Sequence, residues 1–210
     1  MLLYGFGPSR STRISWALEE VGSEWKYYKL DFRSAEHRGE TYQKINPGGK
    51  VPALVDGEVV LTESLAIVTY LGERFPDSGL VPIDLAERAQ YFRWCAFAIS
   101  ELEQPLWTLG KHSFALPEKH RVPEIKKTAR YEFNKALDVL SLGLSEKDFI
   151  LGENFSGADI LLGHTLSWAR AREIPIEQEN INSYADRTHN RPAYTRGYAR
   201  EVDAPTGEFS

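Results

Sequence analysis

Residues 48–71, GGKVPALVDGEVVLTESLAIVTYL, read as strand, turn, strand and helix. Asp56-Gly57 is a two-residue hairpin signal between the apolar runs Ala53-Leu54-Val55 and Val59-Val60-Leu61. Pro52 stands at the head of the first run. Proline has no N–H for a strand ladder and belongs at a strand's start or edge. Val51-Pro52 is therefore a place where a second extended backbone can dock. Leu65, Val68 and Leu71 then fall along one side of a helix.

Upstream, Leu2 to Phe6 reads as a strand. A helix follows from near Ser11-Thr12, with Ile14, Ala17, Leu18 and Val21 on one face and Gly22 as its stop. Trp25 to Leu30 reads as a second strand, and 34–45 is polar and weakly periodic. The order β-α-β-(α)-β-β-α combines a parallel crossover with an antiparallel hairpin, so the sheet is mixed. Phe75-Pro76-Asp77-Ser78-Gly79 breaks the pattern, and beyond it the chain is helical. Leu85, Ala89, Phe92, Ala96, Ile99, Leu102 and Leu106 keep helical spacing over about six turns. Ile125 to Leu140 repeats that spacing. Ser156 and Asp159 form a capping-box variant before a third helix, and two short helices are expected after Pro175 and Arg191. The expected division is a mixed α/β domain over 1–76, a linker over 77–84 and an all-helical domain over 85–210.

The 25 basic and 30 acidic residues give a net charge of −5, which argues against nucleic acid. Cys95 is the single cysteine, so no internal disulfide or CxxC pair exists, and a reducing compartment, the cytoplasm, is expected. The N-terminal residues lack signal-peptide character, and no apolar run is long enough for a bilayer, so no membrane partner is expected. Asn154-Phe155-Ser156 matches a glycosylation sequon, incidental without a secretion signal. The five histidines are scattered and no HExxH occurs, so no metal is expected. Gly5-Phe6-Gly7 opens like a dinucleotide fingerprint, but Arg10 replaces the third glycine. Gly7-Pro8-Ser9-Arg10-Ser11 misses the nucleophile elbow by its last residue.

Two polar groups remain at helix starts: Ser9, Ser11 and Thr12 before the first helix, and Glu63-Ser64 before the one that follows the hairpin. Helix N-termini offer unpaired N–H groups and partial positive charge, suited to a carboxylate or thiolate. Each group also suffices as a plain N-cap.

Together with the Val-Pro backbone, these pieces resemble the glutathione-binding segment of cytosolic glutathione S-transferases. The linker FPDSG, the mixed-then-helical layout and the SGADI capping box extend the resemblance over essentially the whole chain. It is closest in kind to the serine-type (theta, phi and zeta-like) members. It implies a thioredoxin-like domain with a four-stranded sheet, followed by a helical bundle. It also implies a homodimer that conjugates glutathione, as co-substrate, to small hydrophobic electrophiles in detoxification.

By that resemblance Pro52 is cis and Val51 pairs with the cysteinyl backbone of glutathione. Ser64 and Glu63 hold the γ-glutamyl end, and Lys50 lies near the tripeptide. His37 and Arg38 reach its glycine carboxylate or sit in a solvated loop. Serine-type members place the activating hydroxyl four or five residues before an arginine. Ser9, four residues before Arg13, is the first candidate, Ser11 the second and Tyr4 the third. The aspartate of the capping box, here Asp159, serves folding. The long helix carrying Trp94, Cys95, Phe97 and Trp107 lines the electrophile pocket in the family, although packing in the helical core suits most of these residues better. Isomerisation, dehalogenation, ether cleavage or peroxide reduction would use the same thiolate. A non-catalytic binding protein is the alternative from another class.

Overall fold

The computed structural model describes residues 1–209. It divides into two compact units, Met1–Val81 with the chain from His189 onward, and Pro82–Thr188. The first contains a four-stranded sheet of order β2-β1-β3-β4, built from β1 (Leu2–Gly5), β2 (Lys26–Lys29), β3 (Ala53–Asp56) and β4 (Val59–Thr62). β1 and β2 are parallel, with Leu3 opposite Tyr27, and the α1 crossover (Thr12–Glu20) joins them. β3 runs antiparallel to both β1 and β4. The hairpin closes at Asp56 opposite Val59, and Gly57 has φ +61°, a conformation that favours a residue without Cβ.

Leu3, Ile14, Trp16, Ala17, Leu18, Tyr27 and Leu54 are fully or almost fully buried, as are Ile67, Val68 and Leu71 of α3 (Ser64–Arg74). A second cluster of Leu30, Tyr42 and Ala53 is flanked by Tyr4, Tyr28, Phe32, Ile45 and Val51. The polar stretch over 34–45 forms a 3-10 turn at Glu36–Arg38 and a single helical turn, α2 (Glu40–Gln43).

The expected boundary of the helical domain moves at its far end. The last helix, α9 (Pro192–Asp203), packs on α1 in the first unit rather than with residues 85–188. Gly197 makes this crossing close, because a Cβ there would lie 2.8 Å from the Ser15 carbonyl carbon. The pairs Glu20–Arg191 (2.6 Å) and Glu19–Arg196 (2.7 Å) bind the other ends of the two helices. The proposed linker also divides differently: Leu80 and Val81 are buried against Gly72 of α3.

The second unit holds α4 (Leu85–Phe97), α5 (Gln104–Gly110), α6 (Ile125–Leu144), α7 (Gly157–Ala171) and α8 (Glu179–His189). The expected six-turn first helix is interrupted by a wide, π-type stretch over Ala98–Glu103. Pro105 explains it: the ring has no N–H for the Glu101 carbonyl and crowds the preceding turn, which widens to accommodate it. Trp94 and Cys95 are buried core residues, and burial pushes the Cys95 thiol up to about 12. Gly143 faces the Trp94 ring so closely that an added Cβ would collide with Cη2 and Cζ2. Gly143→Ala is expected to destabilise this unit by about 2 kcal/mol through overpacking, measured by urea unfolding.

Candidate active site

The site candidates of the first unit meet at one end of the sheet, where β1 and β4 finish and β3 begins. Tyr4 lies opposite Ala53, so Gly5 and Phe6, leaving β1, run beside Pro52 and Val51, entering β3. The Val51–Pro52 peptide is cis, as is Gly7–Pro8. Pro52 is buried, Val51 half-buried and Lys50 exposed. The Lys50 carbonyl accepts from the Tyr42 hydroxyl at 2.6 Å and from Asn46 Nδ2 at 2.7 Å. Asn46 Oδ1 in turn accepts from the Gly48 N–H at 3.0 Å. Two side chains thus fix the peptide that presents Val51. Their roles escaped the sequence reading, although Asn46-Pro47-Gly48 carries a turn signature.

Ser9 and Ser11 behave differently from each other. The first turn of α1 opens at Ser9, whose carbonyl accepts the Thr12 N–H at 3.1 Å and whose Oγ accepts the Ser11 N–H at 3.1 Å. Ser9 is half-buried. Ser11 is fully buried and its side chain caps nothing. Its Oγ accepts the Phe6 N–H at 3.3 Å and lies 3.0 Å from Ser9 Oγ. An added Cβ on Gly5 would be 2.7 Å from Ser11 Cβ, so the first glycine of Gly5-Phe6-Gly7 makes room for this serine. Ser11 is thus buried behind the half-buried Ser9.

Tyr4 packs against Tyr28 and Tyr42, with ring centroids at 5.4 Å and 5.8 Å. Burial, and to a lesser degree the Glu36 carboxylate, raises its phenol pKa, which keeps the hydroxyl protonated. His37 lies in the 3-10 turn at Glu36–Arg38 and is not solvated. Its ring is buried, stacked on Phe32 at 4.0 Å, and burial followed by neighbouring Arg38 lowers its pKa, favouring the neutral form. The turn does bring His37 and Arg38 against Gly49, next to Lys50, and Arg38 is exposed there.

Glu63 and Ser64 open α3. Glu63 is exposed and holds φ 65°, ψ 114°, an uncommon conformation for a residue with a Cβ. Ser64 is buried, and its Oγ accepts from Arg13 Nη1 at 3.0 Å. Arg13 is itself fully buried on the first turn of α1. It ties the two helix starts together, a role that spacing from Ser9 alone does not reveal.

Among the described residues no group of three His, Cys, Asp or Glu side chains is placed to hold a metal ion. None of the described helices is long and apolar enough to cross a membrane.

Similarity to known proteins extends over nearly the whole chain. Residues 1–73 match the family model "Glutathione S-transferase, N-terminal domain", and residues 86–194 match "Glutathione S-transferase, C-terminal domain". Glutathione S-transferase 1 of Dianthus caryophyllus is 34% identical over 166 residues, covering 77% of this chain and 74% of the relative. Glutathione S-transferase GstA of Escherichia coli O157:H7 is 31% identical over 179 residues, covering 83% and 86%. A sphingomonad glutathione S-transferase solved in complex with glutathione superposes with a TM-score of 0.84 at 30% identity, covering 97% of this chain and 100% of that one.

Proposed function

The chain belongs to the cytosolic glutathione S-transferase superfamily and is a glutathione transferase, with glutathione as co-substrate, and on that premise we propose that Ser9 supplies the hydroxyl that stabilises the thiolate. The observation that carries this reading is the contrast between the half-buried Ser9 at the mouth of α1 and the sealed Ser11 behind it.

In this reading the tripeptide lies along Lys50–Pro52, and the Val51 backbone pairs with its cysteinyl unit as a short added strand. The γ-glutamyl carboxylate takes the N–H groups and hydroxyl at Ser64, where the α3 N-terminus favours negative charge. Glu63 holds the ammonium beside it. Lys50 and Arg38, both exposed, face the glycine carboxylate. The Ser9 hydroxyl donates to sulfur, and the α1 N-terminus adds positive potential. A thiol of ordinary pKa, about 8.5, is only a few per cent ionised at neutral pH, and lowering it to about 6.5 raises the thiolate fraction tenfold or more. The thiolate then attacks the electrophilic carbon of a small hydrophobic second substrate.

Family membership supports a homodimer acting in detoxification, and a buried, single Cys95 suits the reducing cytoplasm. Ser9→Ala is expected to lower kcat/KM for a model electrophile about thirtyfold, near 2 kcal/mol of transition-state stabilisation. Conjugation by this variant at the wild-type rate would remove Ser9 from the mechanism.

A further inference from the structure

Glu201 lies on the last turns of α9, fully buried, and nothing in the thiolate chemistry above uses it. Its Oε2 accepts from the Thr12 hydroxyl at 2.7 Å. The same oxygen would be 2.8 Å from a Cβ added at Gly7. Glu201 therefore touches the loop carrying Ser9 on both sides, at Gly7 before it and at Thr12 after it. The second glycine of Gly5-Phe6-Gly7 is what lets the carboxyl approach. Its Oε1 has no hydrogen-bond partner of good geometry, yet the Ser11 and Ser15 hydroxyls lie near enough to favour its ionised form. Burial outweighs these donors and the attraction of Lys29, and raises the Glu201 carboxyl to about 7.

The groups around it are few. From β2, the Tyr27 phenol feels the carboxylate's charge, and Lys29 donates to the Val202 and Ala204 carbonyls at 3.1 and 3.2 Å. From α1 come the neutral Ser11, Thr12 and Ser15. The charged residues further along the same helix crossing, Glu19 and Glu20, are matched by Arg196, Arg200 and Arg191.

We propose that Glu201 is a positioning residue that sets the direction of the Ser9 hydroxyl through Ser11. When Glu201 is ionised, the Ser11 proton is drawn to it, and Ser9 donates inward to Ser11 Oγ. When Glu201 is protonated, Ser11 donates to Ser9 Oγ, and the Ser9 proton is left to point outward to the sulfur. Ionisation of Glu201 thus opposes the thiolate twice, by turning Ser9 away and by adding negative charge nearby. This inference rests on Ser9 being the thiolate's hydroxyl.

The test is a titration of enzyme-bound glutathione, followed by ultraviolet absorbance of the thiolate, with thermal melting as the fold control. Glu201→Gln keeps the shape and the acceptor for Thr12. It is expected to lower the bound thiol's pKa by about half a unit, a threefold change in its ionisation constant. The effect is expected to shrink in the Ser11→Ala background to what the carboxylate's charge contributes directly. A Glu201→Gln titration identical to wild type, or a shift of undiminished size without Ser11, overturns the proposal. Ser9→Ala separates the two layers. If it leaves the thiol's pKa unmoved, the reading of Ser9 fails. If it raises that pKa while Glu201→Gln is silent, only the role of Glu201 fails. Should Glu201→Gln not fold, wild type decides. Its bound-thiol curve departs from a single-proton shape near pH 7 if the groups are coupled, and follows that shape if they are not.

Discussion

Asp159→Ala is expected to destabilise the protein by about 4 kcal/mol, more than the loss of a helix cap alone. The sequence reading values this capping box as an ordinary helix start. The structure shows a carboxylate with no solvent exposure that accepts four hydrogen bonds. Oδ1 takes the Ile150 N–H and the Tyr184 hydroxyl, each at 2.8 Å. Oδ2 takes the Ser156 N–H and Ser156 hydroxyl, again each at 2.8 Å. One side chain thereby joins the loop before α7, the start of α7 and the middle of α8. Truncation strands four buried donors, the Ile150 and Ser156 N–H groups and the Ser156 and Tyr184 hydroxyls, of which those that find no other partner each carry a desolvation penalty of about 1–3 kcal/mol. Burial raises the Asp159 pKa although the four donors pull it back, so the site is tuned to hold a carboxyl in an apolar setting. Thermal melting should show a fall of about 10 °C. Asp159→Asn should recover only part of the loss, because its amide N–H₂ points at donors. A melting point for Asp159→Ala within about 2 °C of wild type would show that the network carries little.

What could be read from the chain follows the range of the physics involved. The Asp56-Gly57 hairpin is local: two residues and their flanking apolar alternation decide it, and β3 and β4 pair in that register. The capping box is local too, and both of its reciprocal bonds are present. The interruption of the first long helix was also legible in principle, because Pro105 sits inside the periodic run. Side-chain spacing records which face is apolar and is blind to a missing N–H.

The partners of α9 are a different matter. Ala193, Gly197 and Glu201 form its buried face, but spacing does not say what covers it. The answer is a helix some 180 residues earlier in the chain, and Gly197 fits only because α1's backbone comes so close. The same limit governs the candidate site. Ser9 and Ser11 are chemically alike and two positions apart. Burial distinguishes them, and burial comes from Tyr27, Gly5 and Glu201, residues of three other segments. The burial of His37 escapes pattern reading for the same reason, since Phe32 stacks on it from the preceding loop.

Arg13 is where this long-range organisation should have its largest effect on ligand binding. Its side chain is fully buried and donates to Ser64 Oγ at 3.0 Å. That donor occupies an acceptor site of the hydroxyl, so the Ser64 proton stays directed outward, where the γ-glutamyl carboxylate is proposed to lie. Arg13→Ala removes the donor and leaves a void, and is expected to destabilise the fold by about 3–4 kcal/mol. Arg13→Met separates the two effects. It fills most of the volume with an apolar chain, so stability should largely return, while Ser64 is free to turn inward. Glutathione affinity, measured by calorimetry, should then fall about tenfold, near 1.4 kcal/mol and just below the 1.5–3 kcal/mol range of a charge-assisted hydrogen bond. The turnover of bound glutathione should change far less than its KM, because the end of the tripeptide proposed to lie at Ser64 is remote from sulfur. An Arg13→Met protein that binds glutathione as wild type does would reduce Arg13 to packing. One with kcat lost and KM intact would move its influence from Ser64 to the Ser9 end of the same helix.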